Sequence, residues 1–150
     1  MLTQIGIGSS LIVLTIIVMA IFVGLAIRFI EAFAARFARK IATFKLIVAL
    51  VLVTLFMLAG LSLSIWIWAL AFFWLGAFDT ILASLYFSMV AFTTLGFGDL
   101  TLPNEWKLQS GFIAANGLIL FGFVTAFLME FFGQLRRSHD EHRHQKDRPK

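Results

Sequence analysis

Long uncharged stretches, interrupted by two short charged segments, set the pattern of this chain. Residues 1–27 and 46–78 contain no charged side chain, and residues 104–134 contain only three. A helix of about 20 apolar residues crosses a hydrocarbon core of about 30 Å. The pattern therefore predicts three transmembrane helices, over residues 1–27, 46–70 and 104–134.

The stretch between the second and third predicted spans has a different organisation. Gly76 interrupts the apolar run, and Asp79 and Thr80 are residue types that cap the start of a helix. A helix over residues 79–92 rises only about 21 Å, which is too short to cross a membrane. We expect a re-entrant helix here, with its carboxyl end directed toward the middle of the membrane.

Composition supports a membrane protein. The 150 residues are 61% hydrophobic and 13% charged, with a mean hydropathy of +0.96, whereas a soluble domain is about half apolar and a quarter charged. The predicted fold class is an all-α integral membrane protein. The chain has no cysteine, so it forms no disulfide.

The basic residues predict the topology. Eleven of the twelve lysines and arginines fall in residues 28–45 or residues 135–150, each of which flanks an apolar span. Basic residues collect on the cytoplasmic side of cell membranes. We therefore expect a multi-pass protein of the plasma membrane, with the amino terminus outside and the carboxyl terminus cytoplasmic. A lipid bilayer, rather than nucleic acid, accounts for the net charge of +4.

The two basic segments receive different interpretations. Residues 28–45 interleave phenylalanines with charges and predict an amphipathic cytoplasmic linker or an extension of the neighbouring spans. Their arginines do not form the regular ladder of a voltage sensor. Residues 135–150 are too polar to bury apolar surface and are expected to form a cytoplasmic tail.

Residues 93–99 read Thr-Thr-Leu-Gly-Phe-Gly-Asp and form the most informative segment, here called the septet. Glycines at alternate positions allow a backbone to turn its carbonyl groups to one side. Irregular backbone at membrane depth occurs only where it is buried in protein or lines a watery cavity. A row of carbonyl oxygens there is a ladder of ligands for a dehydrated cation.

The septet resembles the selectivity filter of potassium channels. Leu95 replaces the usual valine, and Phe97 replaces the usual tyrosine, as in two-pore-domain relatives. The resemblance extends over the order helix, pore helix, filter and helix within a pore domain at residues 46–134. It implies a homotetramer with K⁺ ions in the filter as the only cofactor. The implied ion-binding residues are Thr94, Leu95, Gly96, Phe97 and Gly98.

The same resemblance assigns supporting roles. Thr93, Asp99 and Tyr86 are expected to support the filter, with Tyr86 as the hydrogen-bond partner of Asp99. Gly117 lies where family members have a hinge glycine, and Gly122 is the second hinge candidate; close helix packing is the alternative. The remaining candidates for the cavity below the filter are Asn116, Phe121, Thr125 and Met129. For Asn116, a bond to a neighbouring helix is an equal alternative.

The predicted function is passive, potassium-selective conduction without an enzymatic step. A weakly selective cation channel is the alternative that Leu95 raises. A non-conducting membrane scaffold that keeps the pore fold is the alternative from another class. The sequence shows no paired intramembrane carboxylates, metal-ligand cluster or activated nucleophile, which argues against an intramembrane enzyme. It also lacks the internal repeats that a carrier usually shows.

Overall fold

Four α-helices form the chain in the computed structural model, which describes residues 2–37 and 43–146 and the side chains of residues 2–29 and 47–133. In chain order they are α1 (Leu2–Phe37), α2 (Thr43–Trp74), α3 (Ile81–Phe92) and α4 (Leu108–Lys146). No strand occurs within these described ranges.

Three of the helices are long and apolar enough to cross a membrane. Their spans are Leu2–Phe29, Ile47–Trp74 and Leu108–Gly133. The third helix in the chain, α3, has 12 residues and rises only about 18 Å, so it does not cross. The prediction of an all-α integral membrane protein is confirmed.

The helices extend further than the sequence predicted. Residues 28–37 and 43–45 continue α1 and α2, which is the second alternative given for this segment, an extension of the neighbouring spans rather than a separate linker; residues 38–42 lie outside the described part. The last helix begins at Leu108 rather than at residue 104 and runs to Lys146, so most of the expected tail is helical. Extending a helix that already exists avoids the cost of nucleating one, which explains how polar residues continue both spans.

The helices α1 and α4 run in the same direction, and α2 runs against them. The Gln109 side chain on α4 donates to the backbone carbonyl of Gln4 on α1, and the Asn116 side chain on α4 donates to the Thr15 hydroxyl on α1, so the two helices progress together. Against α2 the order reverses, because Met19 lies 3.4 Å from the Cβ position of Gly60, whereas the later residue Phe22 packs on the earlier residue Phe56, with ring centroids 4.8 Å apart. This is the alternation that three consecutive spans require.

Polar groups join α1 to α4 within otherwise apolar surfaces. The Gln4 amide donates to the carbonyl of Glu105, and the Gln109 amide donates to the Gln4 carbonyl over 2.7 Å. Deeper in the span, the buried Asn116 amide donates to the Thr15 hydroxyl over 2.8 Å. Inside a bilayer no water competes for these groups, so the bonds fix the register of the two helices.

The contact between α2 and α3 is aromatic. The buried rings of Trp68 and Phe72 lie 5.7 Å apart, and Phe72 meets Phe87 of α3 edge-on at 5.5 Å. Offset and edge-on ring pairs are the preferred aromatic arrangements. These rings hold α3 against α2 and thereby fix the position of the septet that follows α3.

We predict that Gly8→Ala weakens the docking of α1. A Cβ atom at Gly8 would lie 2.6 Å from the Phe112 ring and 2.9 Å from Oε1 of Gln109, whereas one at Gly6 meets nothing within 4 Å. Overpacking of this kind costs about 1–3 kcal/mol. Thermal unfolding in detergent should therefore show a lower midpoint for Gly8→Ala than for the matched control Gly6→Ala. Equal midpoints would contradict the packing described.

Candidate functional site

The start of α3 is fixed by a capping threonine. Thr80 has an extended backbone, with φ −131° and ψ 147°, and its hydroxyl accepts a hydrogen bond from the Ala83 amide over 3.2 Å. The bond satisfies one of the amides that a helix start leaves unpaired. The cap expected at residues 79–80 is present, and it sets where α3 begins.

The end of α3 accepts hydrogen bonds from the septet. The Thr93 and Thr94 amides donate to the carbonyls of Met89 and Ala91, over 3.1 and 3.0 Å. The Val90 carbonyl accepts from two amides, those of Leu95 at 3.0 Å and Gly96 at 3.3 Å. The last carbonyls of a helix have no partner within it, so the septet completes the hydrogen bonding of the helix end.

These bonds orient the septet's own carbonyl groups. In a trans peptide the N–H and the preceding C=O point in opposite directions. Because the amides of Thr94, Leu95 and Gly96 point back toward α3, the carbonyls of Thr93, Thr94 and Leu95 point away from it. Three successive oxygens are thus turned out of the helix–septet unit.

Every second residue of the septet has a positive φ. The values are 60° at Thr94, 56° at Gly96 and 80° at Gly98, and neither Leu95 nor Phe97 is in this region. Alternating left- and right-handed residues align successive amides on one side and so carbonyls on the other. Glycine adopts such angles freely, but a β-branched threonine does not. A strained residue of this kind costs about 1–3 kcal/mol and persists only where the surrounding structure holds it in place.

The septet is exposed in the single chain. All of residues 93–99 are exposed, including the large apolar side chains of Leu95 at 59% and Phe97 at 65%. Phe92, directly before the septet, is fully buried. The exposed part of the chain therefore begins at Thr93, the first residue of the septet.

Tyr86 and Asp99 connect the far end of the septet to the middle of α3. The Tyr86 hydroxyl donates to Oδ2 of Asp99 over 2.7 Å, so the predicted hydrogen bond is present. This bond lowers the pKa of the Asp99 carboxyl group below its ordinary value, with smaller support from the backbone amides of Leu100 and Asp99. Asp99 is therefore a stable negative charge beside the end of the septet.

Behind the septet lies a cleft of about 280 Å³. Tyr86, Val90 and Asp99 line one side, and Ser110 and Ala114 of α4 line the other. The Tyr86–Asp99 bond thus borders a cleft between the α3–septet unit and α4.

Gly117 is the place where α4 touches the end of α3. A Cβ atom at Gly117 would overlap the carbonyl oxygen of Phe92 and would lie 2.8 Å from its carbonyl carbon. Only glycine allows the two backbones to approach this closely. Gly122 has open space around the equivalent position. Close packing therefore explains Gly117, and the hinge roles of both glycines stay predictions.

Three of the four cavity candidates share one face of α4. Phe121 packs edge-on against Phe92 with ring centroids 5.8 Å apart, and Thr125 and Met129 follow at intervals of four residues with exposed side chains. Gly117, which packs against α3, lies on the same face of α4 as these three side chains. The face therefore continues below the level of the septet.

Asn116 does not belong to that face, so its assignment to the cavity was wrong. It is fully buried, and its amide donates to Thr15 of α1. Five residues of helix separate Asn116 from Phe121, which turns their side chains about 140° apart. A helix cannot present both to one axis, and the alternative of a bond to a neighbouring helix is the observed one.

Sequence reasoning missed the residues that connect the elements. Val90 and Phe92 act through backbone carbonyls, for which an apolar side chain gives no signal. Thr15 and Gln109 did leave a signal, because polar residues within a span are expected to have partners. Among described residues, no group of three histidine, cysteine or acidic side chains is arranged to hold a metal.

Comparisons with known proteins identify one family. A family model described as an ion channel matches residues 60–134, which is half of the 150-residue chain. The matched region begins within α2 and includes α3, the septet and the membrane-spanning part of α4. No curated protein and no solved structure matches the chain.

We predict that Gly117→Ala separates α3 from α4, whereas Gly122→Ala is tolerated. The added methyl group overlaps the Phe92 carbonyl in the first variant and meets nothing within 4 Å in the second. Overpacking against rigid backbone should cost at least about 1–3 kcal/mol. Thermal unfolding in detergent measures the difference, and equal losses in both variants would disprove the close contact.

We predict that Tyr86→Phe destabilises the protein at neutral pH but not in acid. The bond lowers the pKa of Asp99, so its contribution is present above the ordinary carboxyl pKa and is lost as the pH falls through the lowered pKa. The variant lacks that contribution. The gap between the melting midpoints of wild type and variant should therefore narrow as the pH is lowered from about 7 to below the ordinary carboxyl pKa. The Asp99→Asn variant should show no such pH dependence. A difference between wild type and Tyr86→Phe that stays constant with pH would contradict the assigned Tyr86–Asp99 bond.

Proposed function

This chain belongs to the ion channel family, and from that membership we propose that it is a potassium-selective channel. The septet, residues 93–99, is its selectivity filter. Ions pass down their electrochemical gradient and no chemical bond is made or broken, so the protein is not an enzyme. The observation that carries the proposal is the hydrogen bonding that turns the carbonyls of Thr93, Thr94 and Leu95 away from α3.

The proposed ligands are backbone oxygens rather than charged side chains. A dehydrated K⁺ needs a shell of oxygen atoms to replace its water, and rings of carbonyls supply such shells in potassium channels. The proposed ligands come from Thr94, Leu95, Gly96 and Phe97, with Gly98 allowing the backbone to continue outward. The alternating positive φ at Thr94, Gly96 and Gly98 supports a continuous row of oxygens.

A homotetramer follows from this proposal. One septet provides only one wall of a pore, and the resemblance to potassium channels implies four walls around one axis. The exposed side chains of Leu95 and Phe97 support assembly, because neighbouring copies would cover apolar groups that stand beside a watery path. The four copies would be arranged with Phe121, Thr125 and Met129 facing the axis below the filter.

The supporting residues hold the filter in place in this proposal. The Thr93 hydroxyl donates to the Met89 carbonyl over 2.8 Å at the inner end of the septet. At the outer end, Asp99 is held by Tyr86. Fixing both ends limits how far the carbonyl row relaxes around a smaller ion. The charge of Asp99 also attracts cations to the mouth.

The gate is proposed on α4. Below the filter, a ring of Phe121 and Met129 from four copies would form an apolar constriction that conducts only when wide enough to hold water. Bending at Gly122, where the surroundings are open, would widen it. Gly117 is proposed as the upper limit of the bend, because it is packed against Phe92.

The proposed orientation places the amino terminus outside and the basic segments on the cytoplasmic side of the plasma membrane. Eleven of the twelve lysines and arginines then lie on the cytoplasmic side, and Asp79, Asp99 and Glu105 lie outside. The three spans of the chain support the multi-pass arrangement.

Reversal potentials test the function directly. Purified protein in planar bilayers, with K⁺ on one side and Na⁺ on the other, should give a potential near the K⁺ equilibrium value. A potential near zero would identify the weakly selective cation channel that Leu95 raises. Silence of correctly assembled tetramers would favour the non-conducting scaffold.

We predict that Gly96→Ala abolishes conduction and leaves assembly intact. Gly96 has φ 56° and Gly76, in the turn after α2, has φ 67°, and both have open space where a Cβ would lie. Alanine therefore costs about 1–2 kcal/mol of backbone strain at either position. Only Gly96→Ala should silence single-channel currents, because only Gly96 lies in the carbonyl row.

Gly76→Ala is the control for strain alone. Wild-type currents from Gly96→Ala, or equal silence in both variants, would overturn the assignment of the filter.

A further inference from the structure

An apolar groove lies between α1 and α2, away from the septet. It has a volume of about 480 Å³ and is lined by Leu25, Ala26 and Phe29 of α1 and by Leu52, Val53 and Phe56 of α2. Pockets for small molecules typically measure roughly 300–1,000 Å³. The lining carries no charged side chain, so the groove suits a hydrocarbon segment.

The groove has two different ends. Toward the middle of the spans it meets the packed rings of Phe22 and Phe56, with centroids 4.8 Å apart. Beyond this pair Met19 is fully buried, and the Phe22 ring lies 3.1 Å from the Cβ position of Gly60. Tight packing between α1 and α2 therefore closes the groove at the end nearest the middle of the spans.

The other end faces the basic segment. Arg28 is exposed and lies three residues after Leu25, so it shares the groove's face of α1 one turn nearer the end of the span. It is the second-to-last residue of the span Leu2–Phe29. Residues 28–45 carry five basic side chains and one acidic one, a net charge of +4. Arg28 thus places a positive charge one turn beyond the groove's lining, at the end of α1 that continues into this net positive segment of the sequence.

We propose that this groove binds one anionic phospholipid of the surrounding bilayer. Part of an acyl chain lies between α1 and α2, and the phosphate group lies at Arg28. A guanidinium group binds phosphate oxygens through two parallel hydrogen bonds, and neighbouring basic residues attract anionic headgroups. A second copy of the chain carries a net positive charge in its own residues 28–45, which would repel Arg28 rather than pair with it. This positive charge therefore favours a lipid over a protein partner.

The test is native mass spectrometry of the purified full-length protein in detergent. Phosphatidylglycerol and phosphatidylcholine with identical acyl chains are titrated separately. The expected result is one tightly retained phosphatidylglycerol per chain, with about tenfold weaker retention of phosphatidylcholine and a preference that declines with salt. Equal retention of both lipids in the wild-type protein would overturn the proposal.

Two pairs of variants separate the groove from the charge. Leu52→Trp fills the groove, and Leu55→Trp adds the same bulk to an exposed position outside it. Only Leu52→Trp should lower retention, and it should do so for both lipids; Leu25→Trp repeats the test if Leu52→Trp is unstable. Arg28→Gln should remove the preference for phosphatidylglycerol, whereas Lys107→Gln, at the opposite end of the spans, should preserve it.

Two results would contradict the lipid assignment. Equal effects of Leu52→Trp and Leu55→Trp would show that lipid binds to the general apolar surface. A change of oligomeric mass in Leu52→Trp without a change in lipid retention would show that another copy of the chain occupies the groove. The measurement does not depend on conduction, so it stands apart from the proposed function.

Discussion

The hydrogen bonds between the septet and the carboxyl end of α3 are the constraint on which the rest of the site depends. Within a bilayer, an unpaired amide has no water to bond, so irregular backbone must find partners in the protein. The Val90 carbonyl supplies one for both Leu95 and Gly96, and Ala91 supplies one for Thr94. Once the amides are committed to α3, the attached oxygens have only the opposite direction available. The direction of the oxygens is thus a result of satisfying the amides.

The second consequence of this arrangement is a mechanical link between α3 and α4. The carbonyl of Phe92, at the last residue of α3, is seated against Gly117. The Phe92 ring meets Phe121 one turn further along α4. A displacement of α4 at this level therefore moves the end of the helix that holds the septet. Phe92, which has no polar side chain, therefore connects the proposed filter to the proposed gate.

Local chemistry could be predicted from the sequence, and contacts distant along the chain could not. Thr80 has the side chain that a helix start requires, so its cap was predictable. The Tyr86–Asp99 bond was predictable only through resemblance to potassium channels. The positive φ of Thr94 was not predicted, because in a sequence only glycine signals such an angle. The alternation of Gly96 and Gly98 would have placed Thr94 in the same region of backbone angles.

For Asn116, the direction of the side chain around the helix could be predicted from the sequence, but its hydrogen-bond partner could not. The helical angle between Asn116 and Phe121 was available from the sequence and excluded a shared face. The partner, Thr15, was not available, because nothing local indicates which helix covers a given side of α4. The length of α4 was likewise hidden, since a polar tail and a polar helical extension have similar composition.

The bond between Thr15 and Asn116 joins residues 101 positions apart, and that separation has a consequence for biogenesis. Ribosomes add roughly 5–20 residues per second. Thr15 of α1 is therefore synthesised on the order of 5–20 s before Asn116, its partner on α4. The Thr15 hydroxyl meanwhile donates to the carbonyls of Leu11 and Ile12 in its own helix. The first helix can therefore wait in the bilayer without an unpaired donor. The oxygen of the same hydroxyl group remains available as the acceptor for the amide of Asn116 when α4 follows.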